Sequence, residues 1–109
     1  MASIADRKQK RYAMPALSRF KVTLDGLSGE LADISEGGMA FSIPVHPDAP
    51  AEGAAARGSI HIGSSDKKDF SGTVVRVDTD SGRLMIGVKF DIEIEIPGPI
   101  LAVVMAEEY

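Results

Sequence analysis

The chain has no cysteine among its 109 residues. Disulfides and thiolate metal sites are therefore excluded, and the composition fits a reducing cytosol. Histidine is almost as scarce: His46 and His61 have no partner at metal-ligand spacing and read as solvated surface residues. No stretch approaches the ~18 apolar residues of a membrane span. No apolar core follows the basic residues near the N-terminus, so neither a secretory signal nor membrane insertion is expected. Phosphate-cradling P-loop and nucleophile-elbow patterns are missing. Ser35 has no base near it in sequence, and the pairs Glu93/Glu95 and Glu107/Glu108 read as solvated faces rather than acid–base pairs. Catalysis is the poorest-supplied function class, and the expectation is a cytoplasmic protein that is not an enzyme and carries no cofactor.

What is present is an asymmetry of charge. Residues 1–22 hold six basic side chains (Arg7, Lys8, Lys10, Arg11, Arg19, Lys21) against one acid, Asp6, a net of +5; the overall −4 then leaves −9 on the remainder. An acidic body repels a nucleic-acid polymer, whereas a basic arm on such a body suits a small, local anion. Charge alone is equally that of a solvated tail.

The length corresponds to one domain. Residues 1–16 are basic, weakly patterned and closed by Met14-Pro15, which predicts a flexible or short-turn arm; residues 17–109 form the folded body. Period-two alternation then predicts strands. Phe20, Val22 and Leu24 share one face of a strand over 17–24; a second strand covers about 28–34 and a third about 39–43. A proline-bearing loop spans 44–58, where Ala54-Ala55-Ala56 could form one helical turn. Strands follow at 58–62, with Ile60 and Ile62 inward, and at 70–77, with Thr73, Val75 and Val77 on one face. After a hairpin loop at 78–82, Leu84, Ile86, Val88 and Phe90 alternate in the last strand. Beyond Pro97-Gly98-Pro99, the apolar run Ile100–Met105 predicts a short helix. It is apolar on more than one face, so it must pack on the barrel end or on a second subunit, which makes a homodimer compatible with the chain. Six short strands with frequent turns predict an all-β antiparallel barrel or sandwich, with closure removing exposed edges.

Two clusters carry binding chemistry. Arg7-Lys8-Gln9-Lys10-Arg11 places two guanidinium forks four residues apart, and Lys8 and Lys10 add charge between them. Arginine pairs bidentately with phosphate or with guanine O6 and N7, or stacks on a purine. Asp33-Ile34-Ser35-Glu36-Gly37-Gly38 lies where one strand ends and the next begins. The Asp33 carboxylate can accept both N1–H and N2–H of guanine, the Ser35 hydroxyl can donate to a phosphate oxygen, and Gly37 and Gly38 permit positive φ or leave room for a base. From those six residues alone the plainer reading is a tight turn, and the arginines alone read as a solvated arm. Together they describe a guanine-plus-phosphate site.

With both clusters in this order, the chain resembles the PilZ domain family, bacterial receptor modules for cyclic di-GMP. The first cluster matches the family pattern RxxxR and the second matches [D/N]xSxxG; a looser signature fits Gly72-Thr73-Val74-Val75-Arg76 and Gly87-Val88-Lys89-Phe90. The resemblance spans about residues 6–106. It implies a six-stranded, Greek-key-like barrel with a C-terminal helix, ligand contacts from Arg7, Arg11, Asp33, Ser35 and Gly38, and a basic arm that folds over the nucleotide and so signals to a downstream protein. Asp6 departs from many members, which have a further basic residue there; a carboxylate repels phosphate and bears on affinity and on whether one nucleotide or a stacked pair binds. The alternative within the same fold is an interaction adaptor that ignores nucleotide. A barrel for single-stranded nucleic acid is disfavoured by the few strand-face aromatics and the acidic body.

Overall fold

Alternating apolar residues do build the wall of a closed sheet. The computed structural model describes residues 12–107 apart from 14 and 64. Its strands are β1 (Tyr12–Ala13), β2 (Lys21–Leu24), β3 (Leu27–Ser35), β4 (Gly38–Pro44), β5 (Ala55–His61), β6 (Lys67–Asp80) and β7 (Arg83–Phe90). A 3-10 turn, Pro15–Arg19, precedes β2, and a helix, α1 (Gly98–Glu107), ends the described chain. All pairings are antiparallel; the order β3-β2-β5-β6-β7-β4 returns to β3 through the β3–β4 ladder, closing a barrel of six strands. The two residues of β1 pair on the edge of β3 that β2 also uses, beyond the end of β2, with Tyr12 opposite Ile34 and Ala13 opposite Asp33. Of the arm read over residues 1–16, only this short strand and the start of the 3-10 turn fall among the described residues.

The core is the inward half of each strand. Val22, Leu24, Leu31, Ile34, Met39, Phe41, Ile43, Ile60, Val74, Ile86, Val88 and Phe90 are buried, with the Phe70 and Phe90 rings 5.8 Å apart and tilted. Leu17 from the 3-10 turn and Ile100 from α1 close one end, and the helix packs on that turn. The helix therefore covers the barrel, as one of the two expected packings required. No helix of the described chain is long and apolar enough to cross a membrane.

Three segments differ from the sequence-based expectation. The strand over 17–24 begins only at Lys21, because Pro15–Arg19 winds into the 3-10 turn that buries Leu17. The alanines at 55 and 56 extend β5 rather than forming a helical turn, since β6 offers Thr73 and Gly72 as ladder partners and pairing overrides alanine's weak strand preference. β6 runs on to Asp80, so its hairpin with β7 needs only Ser81-Gly82. That loop and the β2–β3 loop Asp25-Gly26 hold both central residues at positive φ, the primed geometry that matches strand twist.

β6 also carries a bulge between Val74 and Arg76, which shifts the faces: Val74 and Val77 point in, while Val75 is 52% exposed. A second bulge, between Leu31 and Asp33, does the same on β3.

Phe41 is wholly buried at the centre of β4. Phe41→Ala is expected to lower unfolding free energy by about 3–5 kcal/mol, read as a fall in the urea midpoint at unchanged slope.

Candidate functional site

Backbone pairing decides which side chains share a surface, because residues directly opposite in an antiparallel ladder project from the same face. Asp33 pairs with Ala40, Ala40 with Gly87, and Gly87 with Arg76. This gives one row across the outer wall: carboxylate, two of the smallest residues, guanidinium. The next row runs Ser35, Gly38, Lys89, Thr73. Asp33, Val75, Arg76 and Gly87 line a hollow of about 430 Å³, within the ~300–1,000 Å³ of small-molecule sites. A smaller hollow of about 190 Å³, between Leu27 and His46 at the far end of β3, has no Asp, Glu, Lys or Arg among its described lining residues.

Within the turn cluster the residues divide their work. Asp33 is half-buried and faces the hollow. Ser35 is 2% exposed, and its hydroxyl donates to the Gly38 carbonyl at 3.2 Å. A serine has one proton to donate, so donation to a phosphate requires turning from that carbonyl. Neither Gly37 nor Gly38 has positive φ; the glycines that do are Gly26, Gly53 and Gly82. Gly38 answers to a different constraint: a Cβ there would lie 2.5 Å from the Val88 carbonyl oxygen, so β4 and β7 could not keep their spacing. The Gly37 carbonyl accepts from Phe90 N–H and the Glu36 carbonyl from Ile94 N–H, both at 2.9 Å. The turn is thereby pinned from two sides and presents Asp33 from a fixed frame.

Arg7, Lys8, Lys10 and Arg11 lie outside the described residues. The described chain nevertheless fixes where the arm leaves the barrel, since Tyr12 is opposite Ile34, one residue from Asp33.

Sequence reasoning did not place Arg76, Gly87 or Lys89 at the site, although all three stood in the looser signature. What it lacked was the register that carries β6 and β7 beside β3. Arg76 Nε is 3.0 Å from Asp78 Oδ2, and both side chains are more than half exposed. Arg83, by contrast, is committed to the barrel: Nε donates to Ser42 Oγ at 2.7 Å, and Nη2 donates to the Ser42 carbonyl and pairs with Glu30 at 3.5 Å. Among the described residues no group of three or more His, Asp or Glu is arranged to hold a metal.

The PilZ domain profile matches residues 5–100. No curated protein gives a sequence match. Solved structures that share the fold include the following two. One is the Bacillus subtilis inhibitor of motility (MotI/DgrA), at TM-score 0.64 and 16% identity, covering 92% of this chain and 48% of that one. The other is the PilZ domain of YcgR from Escherichia coli with c-di-GMP, at TM-score 0.60 and 15% identity, covering 91% and 86%. The chain thus spans about half the length of the Bacillus protein.

The two glycines opposite one another's neighbourhoods should respond differently to a methyl group. Gly38→Ala meets backbone at 2.5 Å, whereas Gly87→Ala meets its nearest atom, Arg76 Cβ, at an ordinary 3.5 Å. Overpacking of this kind costs about 1–3 kcal/mol, so Gly38→Ala should melt several degrees lower and Gly87→Ala close to wild type. Equal melting temperatures would contradict the assignment of Gly38 to folding.

Proposed function

The chain belongs to the PilZ domain family, and from that premise we propose that it is a noncatalytic receptor for cyclic di-GMP whose N-terminal arm closes over the nucleotide and passes the change to a partner protein. The observation that carries the reading is the half-buried Asp33 facing a hollow at the point where the basic arm leaves the barrel.

The roles follow from donor and acceptor chemistry. Asp33 accepts N1–H and N2–H of one guanine, an arrangement that adenine cannot supply. Arg7 and Arg11 meet the phosphates as bidentate forks, with Lys8 and Lys10 adding charge. Gly37 and Gly38, with the Ser35 hydroxyl holding the turn, shape the wall against which the nucleotide lies. Lys89, exposed and opposite Gly38, is a further cation on the same face.

Reach is consistent with this. The Arg11 Cα is bonded within ~3.8 Å of the Tyr12 Cα, and Tyr12 sits in a ladder position ~4.5–5.5 Å from Ile34. Arg7, five residues before Tyr12, is limited to about 18 Å from it. Both guanidinium groups can therefore be brought over Asp33 without unpairing β1.

Energetics favour a switch rather than a permanently closed arm. Fixing the five residues from Arg7 to Arg11 costs about 1–2 kcal/mol each. Two bidentate phosphate pairs, as four charge-assisted hydrogen bonds at about 1.5–3 kcal/mol each, offset roughly that much. Order in the arm then depends on the ligand.

Titration calorimetry with cyclic di-GMP tests the proposal. Wild type should bind at micromolar ligand, and Arg7→Ala, Arg11→Ala and Asp33→Ala should each lose at least about tenfold, the equivalent of one charge-assisted contact. Absence of wild-type binding at that concentration would remove the reading.

A further inference from the structure

The stretch between β7 and α1 belongs to neither sequence motif. Residues 91–97 read Asp-Ile-Glu-Ile-Glu-Ile-Pro, with three carboxylates, three isoleucines and no cation. Ile94 and Ile96 pack against the core, and Ile94 N–H donates to the Glu36 carbonyl at 2.9 Å. Asp91 N–H donates to the Ser71 carbonyl, also at 2.9 Å. The stretch is thus a strap pinned beside the turn. Ile92 stands out of it 81% exposed, more than any other large apolar residue described. An exposed isoleucine between two acids matches the two parts of a long cation, methylene stem on the apolar side chain and charged head on a carboxylate. The register of β1 aims such cations at the strap. Tyr12 is opposite Ile34 and Ala13 opposite Asp33 in an antiparallel ladder, so the chain before Tyr12 departs toward Ser35 and Glu36. The same register carried two residues further brings Lys10 level with Glu36, the residue whose carbonyl holds Ile94. Residues 7–11 hold four cations and span at most about 18 Å, as do the five residues from Asp91 to Glu95.

We propose that the strap Asp91–Ile96 is the docking surface of the chain's own basic arm, residues 7–11, in the absence of nucleotide, and that this contact competes with nucleotide for the same arginines. The docking itself is independent of the ligand; the competition rests on the cyclic di-GMP reading. Exposed ion pairs are individually weak and screened by salt, so the strap holds the arm loosely and a ligand with two phosphates can take it away. Affinity is then lowered in proportion to the fraction of molecules whose arm is on the strap. The contact is also selective in direction. The other course from Tyr12, across Ala40 and Gly87, leads to Arg76, a cation that repels the arm, whereas the strap and the exposed Glu36 offer only acids. Lys89, at the end of β7, is the nearest basic residue to the strap in sequence and opposes three carboxylates with one charge.

The chain has no cysteine, so Gln9→Cys gives a single site for a nitroxide label without altering the charge of the arm. In the ligand-free, full-length protein the label should broaden the amide signals of Ile92–Glu95 more than those of Arg76 and Gly87. That preference should vanish in about 1 M salt, where the Debye length is ~3 Å, and in the double variant Asp91→Asn/Glu95→Gln. Both substituted residues are exposed, and the variant should melt within a few degrees of wild type. By titration calorimetry the unlabelled double variant should bind cyclic di-GMP about threefold to tenfold more tightly than wild type, since two surface pairs that held the arm back are gone. Equal broadening on both sides of Tyr12, a preference that survives the double variant, or a variant affinity no higher than wild type overturns the inference. Strap broadening that appears when labelled protein is mixed with unlabelled, isotope-enriched protein assigns the surface to the arm of a second copy and overturns it too. A wild type that binds no cyclic di-GMP removes the receptor reading, and the label pattern alone then decides the docking.

Discussion

One strand has to satisfy three neighbours. β3 pairs along one edge with β4 and divides its other edge between two partners, β2 against Leu27–Glu30 and β1 against Asp33 and Ile34. The barrel closes through the first of these ladders, and the N-terminal segment docks through the last. Both share the stretch that carries Asp33. Without that double pairing there would be no closed wall, and Tyr12 and Ala13 would not stand opposite Ile34 and Asp33.

The bulges complete the arrangement. An extra residue on β3 between Leu31 and Asp33 lets Leu31 and Ile34 both face the core while Asp33 and Ser35 keep to the outer face. The bulge on β6 between Val74 and Arg76 performs the same reversal two strands beyond β4. A strict alternation continued from Val74 would have turned Arg76 inward. Bulges commonly re-aim side chains beside functional sites. Here two of them flank the same hollow, and they expose Val75 and aim Arg76 outward at the same level as Asp33.

Much of the barrel could be read from the sequence because period-two burial dominates where strands are regular. Leu84, Ile86, Val88 and Phe90 were assignable from alternation alone, and the helix at Gly98–Glu107 from its apolar run after Pro97. Legibility failed where a neighbour far along the chain imposed the answer. Thr73, Val75 and Val77 appeared to share a face because a bulge leaves no mark in a local pattern. Ala55 and Ala56 looked like loop because their strand character comes from β6. The turn at Asp33–Gly38 was legible as a turn and as a motif, but the reason for Gly38 was not. It lies in the Val88 carbonyl, which only the β4–β7 register brings within reach. Arg76 and Gly87 were visible as residues, whereas their place beside Asp33 needed three ladders in the correct register.

The division of labour inside the turn changes how motif variants of this chain should be interpreted. Ser35 and Gly38 are buried and engaged with backbone, one by donating to a carbonyl and the other by making way for one. Asp33 lines the hollow. A substitution at Gly38 that abolishes binding is therefore consistent with a displaced β7, and with it a displaced Gly87 and Lys89, without any contact between Gly38 and nucleotide. Only a variant that loses ligand while keeping its melting temperature reports a contact. By that criterion Asp33, on a frame pinned by Phe90 and Ile94, is the informative position of the turn, because its carboxylate can be removed without touching the ladder hydrogen bonds that hold the wall.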